Sequence, residues 1–365
     1  MFGVKMTDKT KILLTPEDFK PSFAKWSILG VFNPGAVRLP NGKIMMYVRI
    51  SEEGIRHKDG KIFMCPIVTS KNKYGVEYKK ILEEEILKTG RWNEVYLKNG
   101  TCILPHISHL RRVILNENGF DIEKIEQKPI FAGIPKESDY GVEDPRISEI
   151  DGRYYMTYVG VSTSEGVSTY LAVSDDLKKW NRLGLIFREQ NKDVVLFPEK
   201  INGEYVALNR PESLFSFSKP GIWISYSKDL IYWGKDSNLM RPRGPETWEA
   251  DRIGAGCPPI KTSKGWLVIY HGVSEEKDRL FYSVGVVLLD LKNPKKIIAR
   301  SDPKTPFILP DKKFEKEGYI NNVIFPTVAI PTLDGKSLLI YSGGADRIVS
   351  VRKISFKEIF KHLRV

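Results

Sequence analysis

Gly141-Val142-Glu143-Asp144-Pro145-Arg146-Ile147-Ser148-Glu149-Ile150-Asp151-Gly152-Arg153-Tyr154-Tyr155-Met156-Thr157-Tyr158-Val159-Gly160 spells out one structural unit. Two acids and an arginine flank a proline, a short strand runs to Asp151-Gly152, and an apolar strand follows. Asp-Gly is a strong hairpin signal, because a tight two-residue turn needs φ > 0 at its central positions. Proline fixes its own φ and is predicted to hold Asp144 extended, aiming its carboxylate from a strand end.

The unit recurs. Phe32-Asn33-Pro34-Gly35 leads to a turn at Asn41-Gly42 and the strand Ile44 to Arg49. Leu196-Phe197-Pro198 leads to Asn202-Gly203 and Tyr205 to Arg210, and Cys257-Pro258-Pro259 to Lys264-Gly265 and Trp266 to His271. Phe325-Pro326 leads to Asp334-Gly335 and Ser337 to Ser342. A second strand pair follows each hairpin; Ser174-Asp175-Asp176-Leu177-Lys178-Lys179-Trp180 and Ser227-Lys228-Asp229-Leu230-Ile231-Tyr232-Trp233 share the pattern Ser-x-Asp-Leu-x-x-Trp. Four strands in each of five units predict an all-β fold, a five-bladed β-propeller with a short C-terminal helix over Phe356 to Leu363. Residues 1–365 are read as one catalytic domain, with 1–30 an N-terminal extension and 350–365 a closing segment. The long interval between the turns at Gly42 and Gly152 predicts an insertion or an elaborated first unit, with a short helix over Tyr78 to Lys88.

Bulk properties narrow the function. Charged residues make up 28% and hydrophobic ones 41% of the 365, enough apolar surface for a core. No run is long enough for a membrane span, and Met1 to Asp8 lacks a secretory h-region. Three cysteines, Cys65, Cys102 and Cys257, lack the spacing of a disulfide framework or zinc site and fit a reducing cytoplasm. The net charge of +12 comes without a basic helix or aromatic RNA-binding signature. Runs such as Lys71-Asn72-Lys73 and Lys312-Lys313 read as solvated surface, so neither nucleic acid nor membrane is expected as a partner.

In a radial fold the prolines of the first strands and the polar ends of the second converge on a central channel. Asp144 is then joined by Arg49, Arg146, Lys192, Arg210, Arg252 and His271, with Asn33 and Asp346 nearby. A glycosidase wants two carboxylates. A phosphorolytic site needs one acid, because phosphate itself attacks the anomeric carbon and must be held by Arg, Lys or His. The cations fit the second chemistry better. Taken singly, Arg210 is either a ligand to phosphate or an ion-pair partner of Glu212. Glu143 either holds a sugar hydroxyl or pairs with Arg146. His106 and His109 read as structural.

Glu143-Asp144-Pro145-Arg146, Val195-Leu196-Phe197-Pro198-Glu199-Lys200, Leu208-Asn209-Arg210-Pro211, Ile253-Gly254-Ala255-Gly256 and Tyr270-His271-Gly272 together resemble glycoside hydrolase family 130, the mannoside phosphorylases and related mannosidases. The resemblance covers nearly the whole chain. It implies that Asp144 is the proton donor, acting through the 3-hydroxyl of the nonreducing mannose. It implies phosphate binding by Lys192, Arg210, Arg252 and His271, and a sugar subsite of Asn33, Arg49, Glu143, Arg146 and Asp346. It implies inverting phosphorolysis of a short β-mannoside, β-1,2-mannobiose or a β-1,2-oligomannoside, to α-D-mannose 1-phosphate by a glycosyltransferase-type phosphorylase. Inorganic phosphate is the co-substrate, and no metal or other cofactor is implied. The alternatives are a β-1,4-mannosylglucose or other β-1,4-mannoside phosphorylase, and a hydrolytic β-mannosidase with Glu199 or Glu246 as second carboxylate. The acceptor subsite is assigned to loops Ser51 to Lys61, Gly90 to Asn99 and Asp236 to Glu249; a homo-oligomer is left open. Three departures stand out: Asn191-Lys192-Asp193 replaces Asn-Arg-Asn, Asn209 precedes Arg210-Pro211 where histidine is usual, and Arg252 replaces a lysine. Lysine for arginine loses the bidentate fork.

Overall fold

The computed structural model describes residues 9–70, 74–91, 93–213, 217–277 and 279–365, so the lysines of the 71–73 run lie outside the described residues. Among these, strands assemble into five antiparallel sheets of four or five strands and two smaller ones of three. Sheet I contains Ser27–Arg38, Ile44–Glu53, Ile107–Leu115 and Ile122–Ile125, and sheet II Val142–Ile150, Arg153–Ser162, Gly166–Ser174 and Asn181–Phe187. Sheet III contains Asn191–Leu196, Tyr205–Pro211, Ile222–Ser227 and Trp233–Met240. Sheet IV is built from Arg252–Ala255, Ile260–Thr262, Gly265–Glu276, Arg279–Leu289 and Ile297–Arg300. Sheet V is Ile324–Pro331, Ser337–Gly344 and Ile348–Ser355, and its outer strand, Lys9–Leu14, comes from the opposite end of the chain. The fold is all-β and propeller-like, and the residues read as an N-terminal extension supply a strand to the last sheet.

The continuous apolar run of each second strand has a physical cause: both of its faces are packed. Met45 and Tyr47 join a core shared with sheet II, whereas Ile44, Met46, Val48 and Ile50 face a core shared with sheet V. Further cores join II to III, III to IV and IV to V, the last also taking Ile359 and Leu363 from the helix Phe356–Leu363. Ser355 caps that helix by accepting from the Glu358 amide.

Three expectations need correction. Tyr78 to Lys88 is not a helix: it holds strand Val76–Leu82, a single 3-10 turn and the start of strand Ile86–Thr89. The β-rich segment forms two three-stranded sheets inserted into sheet I, packed around Phe63, Cys65, Ile81, Val95 and Ile103. Asp144 is not extended: its φ is +49°, matched by Asn33 at +47° and Asp193 at +58°. Each sits at a register shift in the first strand of its sheet, between Glu143 and Arg146, Phe32 and Gly35, and Lys192 and Val195. Asn and Asp tolerate the left-handed region best among residues with a Cβ, and such bulges re-aim a side chain. Finally, Pro34 and Pro145 lie in these bulges, but Pro198 and Pro258-Pro259 fall outside the paired segments.

Candidate active site

The bulged first strands turn Asn33, Asp144 and Asp193 into one cavity of about 560 Å³. Arg49, Glu143, Lys192, Arg210, Arg252, His271 and Asp346 line it too. Arg49 and Arg210 occupy corresponding places, each paired across to the residue before the bulge, Phe32 and Lys192. Of the residues assigned to the acid, the phosphate or the mannose, Arg146 alone is off the lining. Its buried guanidinium donates to the Asp144 carbonyl at 2.7 Å and the Gly256 carbonyl at 3.2 Å, bracing the acid from behind.

One half of the cavity is built around Asp144. Its Oδ1 accepts from Arg49 Nη1 and Asn33 Nδ2, both at 2.9 Å. Arg49 also reaches Glu143 at 2.5 Å, so Glu143 pairs with Arg49 rather than with Arg146. Burial pushes the Asp144 carboxyl up, but Arg49, Arg146 and the Asn33 hydrogen bond outweigh it and hold the group below the usual range. Burial dominates at Glu143, which is raised, and at Asp346, which burial and the charges of Asp144 and Glu143 push up to about 7 against the pull of Arg49. Three carboxyls thus share one neighbouring guanidinium.

The other half is cationic. Arg210 is clamped on two sides, with Nε 2.9 Å from Asp193 and Nη2 3.0 Å from Glu212, confirming the Glu212 ion pair. Its Nη1 is buried without a hydrogen-bond partner, as are both ring nitrogens of His271 and Nη2 of Arg146. Buried donors left unpaired cost free energy, so this side of the cavity is poised to accept an anion. Arg252 donates to the Tyr282 hydroxyl at 2.7 Å, and the rings of His271, Tyr282 and Phe325 pack against one another in a triangle. Burial, reinforced by Arg210, Arg146 and Arg252, holds His271 down to about 3 against the pull of Asp193, so it is a neutral donor and not a cation.

Sequence reading passed over Asp193, buried among Arg146, Arg210 and His271, although the Asn191-Lys192-Asp193 segment was in view. It also missed the lining residues Tyr282 and Phe325. His106, read as structural, lines the cavity as well. Ser51, Glu94 and Tyr96 reach it from two of the three loops assigned to the acceptor, whereas Asp236 to Glu249 contributes no lining residue. Glu199 is paired with Lys261 at 2.6 Å and Glu246 is exposed, both away from the cavity. Among the described residues, no group of three or more His, Cys, Asp or Glu is arranged to hold a metal ion.

Residues 80–365 match the glycoside hydrolase family 130 model, described as beta-1,4-mannooligosaccharide phosphorylase. The chain is 33% identical over 356 residues to a beta-1,2-mannobiose phosphorylase of Listeria innocua, covering 97% of this chain and 96% of that protein. It is 38% identical over 281 residues to a 1,2-beta-oligomannan phosphorylase of a Thermoanaerobacter species, covering 75% and 89%. The solved complex of Listeria innocua beta-1,2-mannobiose phosphorylase with beta-1,2-mannobiose superimposes with a TM-score of 0.87 at 32% identity, over 98% of this chain and 99% of the other.

Proposed function

The chain belongs to glycoside hydrolase family 130, and on that premise we propose that it phosphorolyses a short β-1,2-linked mannoside, mannobiose or an oligomannoside, to α-D-mannose 1-phosphate. The reading treats the whole chain as one domain whose five sheets are the blades of a propeller around the cavity. It is supported most directly by the juxtaposition of Asp144 with a cluster of buried, unpartnered donors on Arg210 and His271.

In this reading Lys192, Arg210, Arg252 and His271 hold inorganic phosphate, and Asn33, Arg49, Glu143 and Asp346 hold the mannose. An unprotonated phosphate oxygen forms a bond to the anomeric carbon as the glycosidic C–O bond breaks, inverting β to α. Asp144 supplies the proton that ends on the departing sugar, relayed by the mannose 3-hydroxyl. Arg49, Arg146 and Asn33 favour ionised Asp144; a sugar that excludes water and an added phosphate charge both favour the protonated acid. Co-substrate binding thereby arms the donor. Arg146 serves as support for Asp144 rather than as a sugar ligand. Phosphate is the only co-substrate the reading requires. The cytoplasm is the proposed site of action, a reading supported by three free thiols; no described helix is long and apolar enough to cross a membrane.

The experiment is incubation with β-1,2-mannobiose and with β-1,4-mannosylglucose, each with and without phosphate, and assay of mannose 1-phosphate. Turnover of the β-1,2 substrate only with phosphate is expected. Asp144→Asn should lower kcat by roughly 100- to 10,000-fold while phosphate still raises the melting temperature. Release of free mannose at equal rate without phosphate would replace this reading by hydrolysis.

A further inference from the structure

Asp193 is a buried carboxylate placed inside an anion site, where simple electrostatics would leave it out. It lines the cavity and is 1% exposed. Its Oδ2 lies 2.9 Å from Arg210 Nε and 3.5 Å from His271 Nε2, and its Oδ1 3.5 Å from Arg146 Nη2. None of these contacts is an aligned hydrogen bond: Oδ2 is buried and has no hydrogen-bond donor directed at it. The placement is enforced from two sides. Asp193 sits at the left-handed bulge position, and a Cβ on Gly254 would come within 2.2 Å of Oδ2, so only glycine leaves room for the carboxylate.

Arg210, His271, Arg146 and Lys192 together overcome burial and hold this carboxyl down to about 2, so it is an acceptor without a proton of its own. Beside a bound oxyanion, such an acceptor repels a bare oxygen and is satisfied by a hydroxyl. Inorganic phosphate at neutral pH always carries at least one P–OH; sulfate carries no proton. We propose that Asp193 makes the anion subsite selective for oxyanions that bear a proton, phosphate or arsenate, and against sulfate. The P–OH donates to the Asp193 carboxylate, which lines the cavity, and keeps its proton, leaving an unprotonated oxygen to face the sugar. The inference rests on the assignment of this subsite to phosphate.

The test is thermal stabilisation of the full-length protein by phosphate and by sulfate over a concentration series at matched ionic strength. Wild type should bind phosphate at least about 100-fold more tightly than sulfate, since a site built around a hydrogen bond rejects the analogue that lacks it. Asp193→Asn, whose amide can donate, should narrow the ratio to within about tenfold; Asp193→Ser serves if the asparagine variant does not fold. Equal stabilisation of wild type by the two anions, or an unchanged ratio in the variant, overturns the proposal. Sulfate inhibition of mannoside turnover should follow the same ratios. A protein that selects phosphate yet releases no mannose 1-phosphate would defeat the phosphorolytic reading and leave this selectivity standing.

Discussion

Asp346 is a carboxyl whose surroundings oppose its ionisation, because it shares Arg49 with two other acids. Burial, Asp144 and Glu143 raise it to about 7, against about 3.9 for an unfolded aspartate. A group with a raised folded value contributes stability that is complete below its unfolded value and is lost as pH rises through the folded one. Wild-type protein should therefore lose melting temperature relative to Asp346→Asn between about pH 4 and 7, with the two curves parallel above that window. Parallel curves throughout would show that Asp346 ionises as it does in the unfolded chain. At this scale the sequence conveyed chemistry but not burial. Asp144, Arg210 and His271 stood out because they recur at matching places, while Asp193 looked like any loop aspartate until the bulge turned it inward.

At the level of strands, the hairpin turns were legible because their chemistry is local. Asp151-Gly152 and Asn202-Gly203 have φ > 0 at both positions, as a type I′ turn demands, while the turns at Gly42, Gly265 and Gly335 use only the glycine. What was not legible depends on tertiary partners. Tyr78 to Lys88 carries helix-forming residues, Glu83, Glu84 and Glu85 among them, yet pairing with strand Ile62–Val68 makes its first half β. Propensity is a weak prior against such pairing. The bulge at Asp144 likewise overrides the backbone preference of a residue before proline, and Arg146 is what braces it, tying the first strand of sheet II to Gly256 beside sheet IV. Arg146→Lys keeps the charge but cannot serve both carbonyls through one planar fork. It should destabilise the protein by about 1–3 kcal/mol and lower kcat well beyond any change in the KM for mannoside. A loss confined to melting temperature would reduce Arg146 to a structural tie.

On the scale of the whole molecule, the cavity takes residues from every sheet: Asn33 and Arg49 from I, Asp144 from II, Lys192 and Arg210 from III, Arg252 and His271 from IV, and Phe325 from V. Such a site exists only while the sheets keep their mutual positions, and those positions depend on the junction between the chain's two ends. Lys9–Leu14 pairs with Ile348–Ser355, and Leu13 and Leu14 enter the core shared by sheets I and V. If that strand completes the fold rather than decorating it, damage there should spread. Leu14 is fully buried, and Leu14→Ala should cost about 2–5 kcal/mol, lowering the midpoint of one cooperative transition by several degrees. Deletion of residues 1–14 should do more, abolishing activity and folded structure together although none of the described residues among them, 9–14, lines the cavity. Thermal unfolding followed by circular dichroism and by residual activity distinguishes the cases. Coincident curves shifted together are expected, whereas an unshifted midpoint after the deletion would show that sheet V is complete with three strands.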